Sequence, residues 1–293
     1  MREKLLTLYP IMESPAIISN GSIEQPRLWR LALQLDKDAL QAVVWSTVEE
    51  ATLVHFSLPL DPTLPQAKAL EEAVYAAPVL LSDFGSVDVV VRTNAYMPVP
   101  QGLDEDTGEA VMEYACLRSG ANDVLVKADR AAAPGMDVLW NLDAGVSRFL
   151  ARTFRNPDMH CHASVLLRYF SRKSVLGNSG KTYAHLHRSG SSRDVDIVVI
   201  GNDGSPAIVT THRCTTDEDA LYHILGSAVQ AGLDLRSDEI LLCGSATDRD
   251  ALMPLLRRYA ACVMPVIFPS AAFRNGREAL TAPFPLVILP LCE

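Results

Sequence analysis

The sequence predicts a duplicated α/β protein of two lobes, each a mixed sheet flanked by helices, and three observations carry that prediction. The apolar pattern runs β, β, β, α, β, α in the first half and repeats in the second. Equivalent segments lie about 150 residues apart, VDVVVRT from EILLCGS and LALQL from TYAHLH. VDVVVRT and EILLCG are also nearly continuous apolar runs, the signature of strands covered on both faces, which suits a sheet joined by helical crossovers.

An irregular leading segment, 1–27, precedes three short β-rich runs, LWRLALQL, LQAVVW and ATLVHFSL, with turns at Asp36 to Asp38 and at Glu49 and Glu50. Pro65 opens a helix whose Ala67, Leu70, Val74 and Ala77 fall at helical spacing. VDVVVRT is the buried strand; a helix over Ala110–Leu117 leads to the strand DVLVKAD, and Trp140–Phe154 reads as a further helix.

In the second half TYAHLH, VDIVVIG and AIVTTHR are the meander, with NDGS at 202–205 as a hairpin signal. Thr216 or Asp217 caps the next helix, Leu221, Leu225, Ala228 and Val229 form its core stripe, and Gly232 ends it. EILLCG follows, then a helix over Asp248–Tyr259 interrupted by Pro254. Val89, Val91, Leu241 and Cys243 are then equivalent buried positions. The boundary falls between Met159 and Lys181, giving lobes 28–158 and 159–293 with a cleft between them.

Composition narrows the function classes. A chain of 293 residues, 48% hydrophobic and 21% charged, is long enough for two compact cores. Its net charge of −9, with a local patch at Asp104, Glu105, Asp106 and Glu109, repels phosphate backbones and argues against nucleic acid as a partner. The six cysteines are scattered without a CxxC pair, as expected in a reducing cytoplasm. Pro10, Glu13 and Pro15 break the N-terminal apolar stretches, so no signal peptide is expected, and no apolar run reaches membrane-spanning length.

Three segments, HCHASVLLRYF, DVDIVVIGNDGSPAIVTTHRCTTDEDALYHIL and DEILLCGSATDRDALMPLL, carry a resemblance over Leu28 to the C-terminus. There the chain resembles a bacterial family, domain of unknown function 3822, and the resemblance implies an actin-like (ribonuclease H-like) fold. Active members of that superfamily place an acid and glycines in two phosphate-facing hairpins. Against that pattern LALQLDKDALQAVV has Gln34 at the acidic position and Asp36 at a glycine position. YAHLHRSGSSRDVDIVV has His185 at the acidic position and His187 and Arg188 at glycine positions. A third element, paired glycines against adenosine, is half present: Cys243 replaces one glycine and Gly244 keeps the other.

Other constellations read as structure. LGNSGKT at 176–182 ends like a phosphate-binding loop but follows a helix and enters a strand, the reverse of what such a loop requires. His160 and His162 alternate with Cys161 on extended backbone, so the two histidines can converge but Cys161 cannot join them and no third metal ligand is identifiable; His162 is expected to start a helix or to bond a nearby backbone group. The serines and histidines at 185–192 have no nucleophile elbow.

The reading is a noncatalytic binding or scaffolding module with no catalytic residue, no metal site and no resident cofactor. Its degenerate nucleotide cleft is marked by Gly244, Ser245 and Arg188, and a protein is its partner class. The alternative is an ATPase or phosphotransferase using ATP and Mg²⁺, with its carboxylates drawn from Asp36, Asp194 and Asp196.

Overall fold

The computed structural model describes residues 23, 25–115, 123–174, 179–189 and 192–292. The leading segment up to residue 22 and the first three residues of the LGNSGKT loop, 176–178, therefore lie outside the described residues. The first lobe opens with β1 (Trp29–Leu35), β2 (Ala39–Ser46) and β3 (Val54–Pro59), followed by α1 (Gln66–Ala76) and β4 (Ser86–Val91). An insertion of β5 (Tyr96–Pro100), α2 (Glu105–Tyr114), β6 (Val124–Ala133) and β7 (Met136–Asp143) comes next. The lobe closes with α3 (Ala144–Thr153), β8 (Asp158–Cys161) and α4 (His162–Lys173).

The second lobe contains β9 (Lys181–Ser189), β10 (Ser192–Ile200), β11 (Pro206–Cys214), α5 (Asp217–Gln230), β12 (Glu239–Gly244), α6 (Ala246–Leu256) and β13 (Cys262–Pro265). A tail with α7 (Phe284–Ile288) ends the described chain.

The two large sheets repeat one topology. Their strand orders are β3-β2-β1-β4-β8 and β11-β10-β9-β12-β13, antiparallel through the meander and parallel beyond it. Register makes the repeat residue-specific. Gln34 lies opposite Gln41 and Val90, as His185 lies opposite Asp196 and Cys243, so Gln34 and His185 are equivalent and so are Asp36 and His187.

The last helix of each lobe packs toward the other lobe. Helix α4 packs against β10 and β11, while α7 packs against β1 and α4. Phe284 of α7 lies edge-on to Tyr169 at 5.7 Å and near-parallel to Phe170 at 6.0 Å, so the tail is part of the main core.

Local signals explain the element ends. Thr216 is the cap of α5, and its hydroxyl accepts from Asp219 N while the Asp219 carboxylate accepts from Thr216 N. Asp104 and Asp143 start α2 and α3 by accepting from Thr107 N and Val146 N.

Several expectations need correction. Trp140 is not helical: it is fully buried in β7, the central strand of the insertion sheet, between Tyr96 of β5 and Lys127 of β6. Strand pairing on both sides decides what the apolar spacing of MDVLWNLD leaves ambiguous. Helix α2 starts five residues before the expected Ala110, and residues 116 and 117 of that expectation lie outside the described residues.

The α5 stripe is turned. Ala220, Ile224, Ser227 and Ala228 are buried, while Val229 is 58% exposed, because small residues let the helix approach the sheet. Helix α6 begins at Ala246 and carries Pro254 within it. On β12, Ile240 and Leu242 face the second-lobe core and Leu241 is only partly buried.

Burial of an unpaired carboxylate costs about 3 kcal/mol or more. Val89→Asp and Leu242→Asp, both at fully buried sites, are therefore expected to abolish cooperative thermal melting of soluble protein, and Leu241→Asp to melt cooperatively at a lower temperature. Cooperative melting of both buried-site variants near the wild-type temperature would show the placement of β4 and β12 to be wrong.

Candidate functional site: a charge network between the lobes

The strands of both lobes deliver polar side chains to one buried place. Arg92, the residue after the apolar β4, sends its guanidinium across to β10, where Nη1 and Nη2 donate to the two carboxylate oxygens of Asp196 at 3.0 and 3.1 Å. Arg92 Nε lies 3.7 Å from Asp36 Oδ1, and Nη2 lies 3.9 Å from Asp194 Oδ2. The side chains of Arg92, Asp36 and Asp196 are 6% exposed or less, so water does not screen them.

Asp196 gathers further donors. His185 Nδ1 lies 2.8 Å from Oδ2, and His162 Nε2 lies 3.1 Å from Oδ1. Thr211 donates its hydroxyl to Oδ1 at 2.9 Å, and the Tyr96 hydroxyl pairs with that of Thr211 at 2.9 Å. The set includes the end of β4, the first residue of β5, the first residue of α4, and β9, β10 and β11.

The electrostatics follow from this crowding. Burial alone would raise the Asp196 carboxyl, but Arg92, His162 and the imidazole hydrogen bonds hold it well below the usual carboxylate range. Asp36 moves the other way. Burial raises it to about 7 against the weaker pull of Arg92 and the Gln34 hydrogen bond. Burial, helped by Arg92, lowers His187 to about 2, so its 3.6 Å approach to Asp36 at neutral pH is a contact of a neutral imidazole and not an ion pair.

His162 is likewise held neutral by burial and Arg92. With Nε2–H donating to Asp196, its Nδ1 faces the Cys161 thiol at 3.7 Å. That Cys-His-Asp sequence of contacts is not a nucleophilic triad. Cys161 is fully buried, and burial with Asp129 pushes its thiol far up. Nor do His160 and His162 converge: His160 turns to Asp129 at 3.8 Å and His162 to Asp196, and no metal-holding group of His, Cys, Asp or Glu occurs among the described residues.

Beside the network opens a cleft of about 740 Å³, walled by the end of β9, the β12–α6 junction and the tail. Gly244, Ser245 and Arg188 all line it. Gly244 has φ +125°, and a Cβ there would stand 2.5 Å from the Leu186 carbonyl oxygen, so strand packing by itself requires a glycine. Ser245 caps α6, accepting from Asp248 N and donating to Asp248 Oδ2 at 2.6 Å. Arg188 lies 2.6 Å from Asp248 Oδ1, with Arg193 at 3.5 Å from the same oxygen.

Sequence reasoning offered Asp36, Asp194 and Asp196 as the pool for a base and a metal carboxylate of the alternative, whereas here they gather around Arg92. It missed Arg92 and the partners of His162, and the available signal was a charged residue directly ending the apolar run VDVVV. Lys181 of the loop-like motif pairs with Glu239 at 3.2 Å as it enters β9.

Removing one partner of a buried ion pair typically costs about 3–5 kcal/mol. Arg92→Met should show a loss of that size by chemical denaturation, and Asp196→Asn on top of it should add much less than it does alone. Strict additivity in this cycle would mean the pair is not coupled. Asp36 gives a pH signature. Its folded value is raised, so the stability it contributes is complete below about pH 4 and is lost as pH rises toward 7. Asp36→Asn removes that slope, and the variant should gain on wild type by up to about 4 kcal/mol between pH 4 and 8. A gap independent of pH would contradict the raised carboxyl.

Comparisons place this architecture. The sequence matches the model of a protein family of unknown function (DUF3822) over residues 19–263. A search of curated proteins gave no match. Among solved structures the chain is similar to a Bacteroides thetaiotaomicron protein with actin-like ATPase fold and unknown function, at TM-score 0.71 and 19% identity, covering 82% of this chain and 91% of that one. A further match, to the PilM-PilN type IV pilus biogenesis complex, has TM-score 0.47 and 15% identity, covering 92% of this chain and 100% of that one. With its sheet order repeated in two lobes and its family match spanning most of the sequence, the chain belongs to the DUF3822 family and has the actin-like fold.

Proposed function

We propose that the protein is a noncatalytic actin-like binding or scaffolding module that works with its lobes held together. The observation that carries this reading is the Arg92 guanidinium, bidentate on Asp196 and close to Asp36 and Asp194, between the two hairpins. Phosphoryl transfer needs carboxylates free to organise Mg²⁺ and amide donors free to approach phosphate. In this reading both sets are engaged. The carboxylates neutralise an internal cation, and Gln34 donates to Asp36 at 2.9 Å.

On the same reading, the two lobes, with their boundary between Met159 and Lys181, act as one body, a partner protein is the expected ligand class of the scaffold, and Gly244, Ser245 and Arg188 mark a cleft that has left nucleotide chemistry. A cytoplasmic setting fits the free thiols of Cys161, Cys214, Cys243, Cys262 and Cys292. No helix among the described residues is long and apolar enough to cross a membrane.

Purified protein with Mg²⁺ and ATP should release no phosphate above background. Turnover near 1 per second, at the low end for enzymes, that collapses in Arg188→Ala or Asp194→Ala would overturn the noncatalytic reading in favour of an ATPase or phosphotransferase.

A further inference from the structure

We propose that the cleft beside the charge network binds a small ligand with an apolar or aromatic body and one anionic group, the anion meeting Arg249. This deepens the reading of the protein as a noncatalytic binding module and rests on it. Arg249 stands in the first turns of α6 and lines the cleft. Its Nε is buried and makes no hydrogen bond among the described residues, so no protein acceptor there compensates the guanidinium charge.

The neighbouring cations are differently placed. Arg188 and Arg193 both face Asp248, whose carboxylate also receives the Ser245 hydroxyl. Arg249 is therefore the cation of this wall with no carboxylate in ion-pair range among the described residues, while Asp248, the acid of the wall, already lies within ion-pair range of both Arg188 and Arg193.

The rest of the cleft sets the body of the ligand. Leu186, Val266, Phe268, Leu280 and Phe284 offer apolar and aromatic surface, and Leu280 is 51% exposed at the cleft. Phe284 and His185 stand tilted at 30° with centroids 5.8 Å apart, so the ring-bearing wall is braced from behind. Burial keeps the Cys243 thiol protonated, and it adds no competing negative charge. About 740 Å³ is ample for a compact ring system.

A magnesium polyphosphate fits poorly. Among the described residues the only carboxylate lining the cleft is Asp248, and beyond His187 the carboxylates already surround Arg92. One guanidinium against one anion, with apolar surface around it, matches a monoanion.

The experiment compares 2-naphthoate with 2-naphthamide, equal in shape and different in charge, by calorimetric titration of the full chain at neutral pH. The acid should bind at least about tenfold more tightly than the amide. Arg249→Gln should bring the two affinities together. Leu280→Glu, an exposed substitution that places a negative charge at the cleft, should weaken the acid by at least about tenfold and the amide less. Equal affinities in wild type, a charge preference that survives Arg249→Gln, or no heat from either compound at about 1 mM would each overturn the inference. None of those outcomes bears on the noncatalytic reading, which stands or falls on Mg²⁺-dependent phosphate release measured on the same protein.

Discussion

Arg92 brings a full charge out of the first lobe and into a buried site of the second, and the arrangement of the molecule around it follows from the need to compensate that charge. A guanidinium taken out of water is tolerated only with acceptors of good geometry on every side. Asp196 supplies the bidentate partner, and the partner in turn needs donors for its remaining lone pairs. His162, His185 and Thr211 provide them, and each comes from a different element. Displacing any of those elements therefore weakens the compensation of a charge that none of them carries.

The duplication gives this site its form. Equivalent positions in the two hairpins, Asp36 and His187, meet across the lobe boundary, and their counterparts Gln34 and His185 hydrogen-bond inward, one to Asp36 and one to Asp196. A pseudo-symmetric pair of hairpins facing one another would bring like groups together, and paired carboxylates without a cation repel. Divergence of the two copies into acid and imidazole removes that conflict. One buried carboxyl, Asp36, is still raised to about 7 by burial, which the pull of Arg92 and the Gln34 hydrogen bond only partly offset. The crossing helices make the same point in apolar terms: α4 and α7 each fill the face that the other lobe would leave open.

The sheets were legible because their central strands are continuous apolar runs, where one face cannot be mistaken for the other. The meander of the second lobe was legible from its turns. The insertion was not, because MDVLWNLD satisfies helical and strand spacing at once and only the pairing of Trp140 with Tyr96 and Lys127 decides between them. On α5, large side chains drew the stripe toward Leu221 and Val229, whereas close packing against a sheet favours Ala220 and Ala228. Gln34, Asp36, His185 and His187 were recognisable as departures from a pattern, but what they do depends on Arg92, which lies 104 residues from Asp196. No local periodicity records such a pair.

The charge network and the neighbouring cleft also constrain each other. His185 and His187 belong to both, so the wall of the cleft is fixed by hydrogen bonds and contacts made on its far side. A ligand that required the lobes to part would have to separate Arg92 from Asp196 and make up the lost hydrogen bonds and ion pair from its preference for the open form. A ligand seated in the cleft with the lobes closed meets no such penalty, and it meets rings and a guanidinium already in place. The preformed cleft therefore favours recognition by a fixed surface, and the buried ion pair is the reason that surface stays fixed.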